Sequence, residues 1–451
     1  MNKTFWSTLL LATAISTSAG AQTIFEALSS AYDTNPTLQA QRAYLRSIDE
    51  NVAIAKSGYR PNVALQGSYT SANVDSNVAP KNQDNDKTVL AATVSQPLFS
   101  GFTTVNSVKS ADSTVRAQQN NLYNVEQTVF LQASTAYMDV LQNTAIVNLQ
   151  KNNEKLLKKR LDETIERFNV GEVTRTDVSQ ARARYSRARS DRIAAEGDLE
   201  ASKSTYTKII GTVPNKLSNP QIGSFLPKTF IEALDYARIN NYGVKYAKEL
   251  LNSKTYDVDA NTGSLLPQVS LDGSISNAKT KADMYDKDPD VDSAEIGINM
   301  TVPLYNSGES RAKIRQSKYL KWQAQELVLE AERLAVADVT SSWEYMVANR
   351  AKIKSIKDQV KANEIALDGV QKEEALGNRT ILDVLDAYQE LLNSNVEEVK
   401  ARRDYYVSGM NVLMAMGKLT AEDLKLGVDI YNPKKYYKET RDKWLSLSVN
   451  E

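Results

Sequence analysis

Arg60-Pro61-Asn62-Val63-Ala64-Leu65-Gln66-Gly67 is echoed 206 positions later by Leu266-Pro267-Gln268-Val269-Ser270-Leu271-Asp272-Gly273. Each octet has proline as its second residue, which disfavours helix at the residue before it. Alternation follows. Val63, Leu65, Gly67 and Tyr69 share one face, against Ala64, Gln66, Ser68 and Thr70. Val269, Leu271, Gly273 and Ile275 likewise oppose Gln268, Ser270, Asp272 and Ser274. A period of two with one apolar face predicts a half-buried strand.

The echo extends outward in both directions at the same offset. Phe25-Glu26-Ala27-Leu28 returns as Ile231-Glu232-Ala233-Leu234, Asn35 as Asn241, and Pro97-Leu98-Phe99 as Pro303-Leu304-Tyr305. Gly171 meets Gly377, Asp177-Val178 meets Asp383-Val384, and Gly211 meets Gly417. A series held in register without a net gap is a tandem duplication. Within each copy a polar loop (73–87, then 277–292) leads to a second strand of matching parity. Leu90, Ala92 and Val94 correspond to Ile296, Ile298 and Met300, and each strand is expected to run about ten residues.

Helical segments flank the strands. One lead-in helix is expected from Thr23 to Lys56 and another from Thr229 to Ala260. After Pro97 and Pro303 the chain lacks proline from Leu98 to Val213 and from Leu304 to Asn432, and a glycine (Gly171, Gly377) breaks each run. Two antiparallel helices per copy follow, the first roughly 100 Å long at 1.5 Å per residue. Leu385, Leu392, Val399, Tyr406 and Leu413 recur at the seven-residue interval of a coiled-coil seam. The first copy is more polar at those positions, so its helices are expected to pack less regularly or to face water. The organisation read from this is a leader over 1–21, a first repeat over 22–216 (strand pair about 61–98, hairpin about 100–211) and a linker over 217–228. A second repeat covers 229–418 (strand pair about 267–304, hairpin about 306–417), and a carboxy-terminal segment covers 419–451.

Lys3, an apolar run from Phe5 to Ile15 and Ala19-Gly20-Ala21 have the form of a cleavable export signal. The run is too short for a spanning helix, which needs about 20 residues. With no cysteine and no histidine, thiolate, Ser-His-Asp and histidine-zinc chemistry are excluded. Balanced charge, 55 basic against 55 acidic residues, gives nucleic acid no electrostatic hold. No cofactor motif occurs, and no phosphate-binding G-x-x-x-x-G-K-[ST] loop.

Four strands of this length and pattern fit a membrane barrel, yet four cannot close one, and lipid tolerates no open edge. Spanning strands would therefore require two or three copies of the chain. A soluble four-stranded sheet capped by helices fits the alternation as well.

The P-x-V-x-L-x-G strand, the P-L-[FY] junction, Arg167-Phe168-Asn169-Val170-Gly171 and Arg379-Thr380-Ile381-Leu382-Asp383-Val384-Leu385-Asp386-Ala387 resemble the TolC family of outer-membrane efflux proteins. The resemblance covers nearly the whole chain after the leader. It implies an α+β membrane protein and a homotrimer, in which a 12-stranded β-barrel in outer-membrane lipid continues into a long periplasmic α-helical barrel. It implies a mixed domain at the tunnel's waist, including Leu217–Leu226 and Leu419 to about Tyr437. Its implied partners are a periplasmic adaptor and an inner-membrane ABC or proton-driven pump, with no cofactor, no nucleic acid and no catalysis.

The resemblance also implies a gate at the periplasmic tip, where the hairpins turn at Gly171 and Gly377. Asp383 and Asp386, three apart on a helix, would share a face and form an acidic constriction. Arg379 would link to Thr176 and Asp177 of a neighbouring subunit and hold the tip shut. Where the family has an aromatic near this turn, the chain has Glu374. Without the resemblance, Asp177 and Asp383 read as helix-start acids favoured by the macrodipole. An adaptor protein also carries long hairpins, but the tandem strand pair argues against that class. A glycosidase needs its carboxyls on opposite sides of a substrate, which neighbours on one helical turn cannot provide.

Overall fold

The computed structural model describes residues 21–74, 83–282 and 288–448. Apart from Ala21, the expected leader lies outside the described residues. Each expected lead-in helix is in fact two: α1 (Ile24–Thr34) and α2 (Pro36–Lys56), then α5 (Phe230–Asn240) and α6 (Tyr242–Gly263). The breaks fall on Asn35 and its echo Asn241. Asn35 Oδ1 accepts from the amides of Thr37 (3.0 Å) and Leu38 (3.3 Å), and its Nδ2 donates to the Ile209 carbonyl (2.8 Å). Asn241 does the same with Gly243, Val244 and the Ala415 carbonyl. One amide side chain thus caps a helix start and satisfies a carbonyl in the last turn of another helix.

The strands β1 (Asn62–Val74), β2 (Gln83–Ser100), β3 (Gln268–Ala282) and β4 (Asp290–Thr301) form one antiparallel sheet in the order β1-β2-β3-β4. They exceed the expected ten residues because part of the polar stretch read as loop continues the ladder. Asn73 faces Asp84 and donates to its carboxylate at 2.7 Å; Asn277 does so to Asp290 and Asp292. The register sets Val63 against Val94, Leu65 against Ala92, Ala92 against Ile275, and Gly273 against Ile296, building one continuous apolar face. That face is bare in the single chain, with Leu65 74% and Ile296 77% exposed. The opposite face is polar: Asp272 accepts from Ser95, Ser270 and Asn299. β1 and β4 are free edges.

The hairpins are α3 (Thr103–Asn169) with α4 (Arg175–Ile210), and α7 (Glu309–Ala375) with α8 (Ile381–Met416). Each long arm has 67 residues and each return arm 36. Leu385, Leu392, Tyr406 and Leu413 are buried along the expected seam. Of the two outcomes expected for the first copy, exposure is the one found: Ser179, Ser186, Ile193 and Glu200, which echo this seam, are exposed in the single chain. Its α4 buries Ala181, Ala188, Ala195 and Ser202, also seven apart, two positions beyond the seam sought in the sequence. Ala and Ser make a seam that a search for large apolar residues misses, because close approach replaces side-chain volume. In α8 the echo, Ser394, Ala401 and Ser408, is buried as well, so this arm has two seams. It is the leucine seam of α8 that meets the first copy: Leu385 clusters with Leu157 and Ala188.

The main core lies at the waist, where Leu28, Tyr32, Leu38, Phe130, Tyr137, Tyr206 and Ile210 pack with Ile222, Leu419 and Leu424 from the segments that follow each repeat. The last helix, α9 (Pro433–Thr440), lies along α2.

On α2, Asp49 is fully buried in line with Leu38, Leu45 and Val52, and neither carboxylate oxygen has a hydrogen-bond partner. Desolvation, with a smaller push from Glu50, raises its pKa to about 7. The folded state therefore holds a proton that the unfolded chain releases near pH 4. Stability tied to Asp49 is full below pH 4 and is lost as pH rises toward 7. Asp49→Asn should flatten that loss. Its thermal midpoint should match wild type near pH 4 and exceed it at pH 8, by roughly 2–4 kcal/mol of stability.

Candidate functional site

Far from the sheet, both hairpins turn with the same backbone. Gly171 and Gly377 have φ of +83° and +80°, a left-handed region open to glycine without a Cβ clash. Glu172 N donates to the Arg167 carbonyl and Asn378 N to that of Glu373, both at 2.9 Å, and so close the ends of α3 and α7. The return helices then start on capping boxes. Thr174 Oγ1 accepts from Asp177 N, while Asp177 Oδ2 accepts from Thr174 N at 2.8 Å; Thr380 and Asp383 repeat this at 3.2 and 2.9 Å.

Asp177 and Asp383, two of the three acids assigned to the gate, are thus, within the chain, helix-start acids. Hydrogen bonds from Thr174 hold the Asp177 carboxyl below its ordinary range, and those from Thr380, its backbone amide first, do so for Asp383. Both stay ionised at neutral pH. Arg379 Nε donates to Glu373 at 2.8 Å within its own turn, with half of its side chain exposed, and Thr176 is exposed. Asp383 and Asp386 lie one turn apart, but only Asp386 reaches the other copy.

Two ion pairs that the sequence reading missed join the tips. Arg167 of α3 donates to Glu374 of α7 at 2.6 Å, and the Glu374 side chain is only 11% exposed. Arg184 of α4 donates to Asp386 of α8, also at 2.6 Å. Glu374, the departure from the family pattern, is therefore not idle: its carboxylate takes an arginine from the first copy. A signal existed in the reversed charge between copies. Early α4 is basic (Arg175, Arg182, Arg184, Arg187) where early α8 is acidic (Asp383, Asp386, Glu390). Arg167 echoes at Glu373, beside Glu374.

An open-edged sheet with a bare apolar face, joined to hairpins of roughly 100 Å whose tips are stitched by charge, defines a subunit of a membrane channel with a long helical extension. The family model described as "Outer membrane efflux protein" matches residues 27–212 and again 233–418, the same 206-residue offset. Outer membrane efflux protein BepC of Brucella suis is 37% identical over 428 residues, covering 94% of this chain and 92% of that one. Outer membrane protein TolC of Escherichia coli is 26% identical, covering 90% and 84%. The crystal structure of the Campylobacter jejuni CmeC outer membrane channel superposes with a TM-score of 0.77 at 16% identity, over 93% of this chain and 89% of that one.

The chain belongs to the outer membrane efflux protein family. It is an outer-membrane channel protein and not an enzyme, its sheet forming part of a β-barrel and its hairpins part of a periplasmic tunnel. Among the described residues no helix is long and apolar enough to cross a membrane. Insertion thus falls to the strands, whose backbone groups are satisfied in lipid only if the barrel closes.

Proposed function

We propose that three copies of this chain close a twelve-stranded barrel through the free edges of β1 and β4, and that the hairpin tips form a gate at the tunnel's periplasmic entrance. The pair of ion bridges across the tip, Arg167–Glu374 and Arg184–Asp386, carries the gate reading, because they tie together elements that must separate for the entrance to widen. Arg379, half exposed beside Thr380, can reach Thr176 and Asp177 of an adjacent subunit and add a link between copies of the chain. With no nucleotide-binding loop in the sequence, the chain acts as a passive conduit for efflux or secretion. A periplasmic adaptor and an inner-membrane ABC or proton-driven pump supply the opening force.

Asp383 and Asp386 of three subunits would place six carboxylates around the entrance, a ring that attracts cations. In the closed state Arg184 offsets the Asp386 charge, so the capped Asp383 provides most of the field. Changing both to Asn should abolish block of single-channel current by trivalent cations while leaving the barrel intact. Block that persists at unchanged concentration would place the constriction elsewhere.

A further inference from the structure

The carboxy-terminal tail ends where the barrel begins. Beyond α9, Lys56 of α2 pairs with Asp442 at 2.5 Å, and the Arg60 guanidinium lies 5.6 Å from the centre of the Trp444 ring. Arg60 stands two residues before β1, which puts its backbone roughly 7 Å from the strand's foot at 3.3 Å per residue, and Trp444 lies beside its guanidinium. The tail leaves the core at that level. Trp444 is 61% exposed, Leu445 90% and Leu447 100%.

The same level already has an aromatic collar. Tyr59, Phe99, Phe102 and Tyr305 are exposed at the strand feet, with Phe99 edge-on to Phe102 at 5.2 Å. The apolar face of the sheet starts there, at Val63, Phe99 and Met300. Amphipathic rings concentrate where a bilayer meets water, their bodies among the acyl chains and their polar edges at the headgroups. Around Trp444 stand Arg60, Arg441 and Lys443 against Asp442. That balance suits an anionic phospholipid surface.

We propose that Lys443–Ser448 is an interfacial anchor, with Trp444, Leu445 and Leu447 inserting into the periplasmic leaflet of the outer membrane beside the barrel. The occupant is phospholipid because the tail continues the barrel's own lipid-facing band and carries basic charge at headgroup level. The anchor would fix the height of α9, and through it α2, against the membrane surface.

The test is fluorescence of the mature, assembled protein with Trp322→Phe and Trp343→Phe, which leaves Trp444 as its tryptophan. In nanodiscs of anionic phospholipid brominated high on the acyl chain, Trp444 emission should be quenched roughly twofold relative to unbrominated lipid. Acrylamide should quench it poorly. Adding Leu445→Asp and Leu447→Asp should abolish the lipid quenching and shift emission to the red with the assembly unchanged. Strong quenching by acrylamide with none by bromolipid would make the tail a solvated end. Shielding from both would mean that protein, a neighbouring subunit foremost, covers it. Either result overturns the anchor without touching the gate.

Discussion

Single-channel conductance in planar bilayers should rise severalfold when Glu374→Gln is combined with Arg184→Ala. The first change removes the carboxylate that accepts from Arg167 at 2.6 Å, and the second removes the partner of Asp386. Exposed ion pairs contribute little, about 0–1 kcal/mol. Arg184–Asp386, with side chains 30% and 55% exposed, belongs near that range. Glu374 is only 11% exposed, so its pair is worth more, and its loss leaves Arg167 with Glu172 alone. Together the two cuts shift the closed–open balance by roughly 2 kcal/mol, about thirtyfold in the ratio of states. Arg379→Ser, which cuts a proposed link between subunits rather than within one, should add to this effect. Replacing Asp177 is a poorer probe, since it also removes the α4 capping box, at a cost of about 1 kcal/mol. Unchanged conductance in folded, assembled double mutants would show that these ion pairs do not hold the closed state.

The other large effect is expected at the handover from sheet to hairpin. Gly101, the residue after β2, has φ of +63°, and a Cβ there would run into the carbonyl oxygen of Gly263 at the end of α6. A Cβ on Gly263 would in turn meet the carbonyl of Gly101. The backbones cross in contact, and Thr103 Oγ1 donates to the Ala260 carbonyl at 3.1 Å beside the crossing. Gly101→Ala or Gly263→Ala must therefore move backbone rather than a flexible side chain, costing about 2–4 kcal/mol. Loss of heat-resistant assembly on gels should follow. Gly197→Ala and Gly369→Ala are the contrasting case: both lie inside helices with nothing near an added Cβ. They should stabilise by about 0.5–1 kcal/mol. If all four behave alike, the crossing is not a packing constraint.

Much of this architecture could be read from the chain without coordinates. The 206-residue echo implied one unit twice, the period-two stretches implied four strands, and the proline-free runs implied long hairpins with turns at Gly171 and Gly377. These signals are local, since backbone preference, side-chain parity and helix caps act within a few residues. Where the reading went astray, the missing information was a neighbour. The expected lead-in helix is two helices because the Asn35 side chain serves Thr37, Leu38 and the distant Ile209 carbonyl together. The α4 seam was missed because Ala181, Ala188 and Ala195 count as a seam only once a helix lies against them.

The tip divides in the same way. By itself the sequence determined the duplication, the fold, the membership of the family and the chemistry excluded by the absence of cysteine and histidine. It also marked Glu374 as a departure. Only the tertiary structure decided what that residue does, by bringing α3 and α7 together so that Arg167 and Glu374 meet across 207 residues of chain. The physical reason is range. A turn or a cap is settled by its own segment, whereas an ion pair between copies exists only after two long hairpins have packed and set their register.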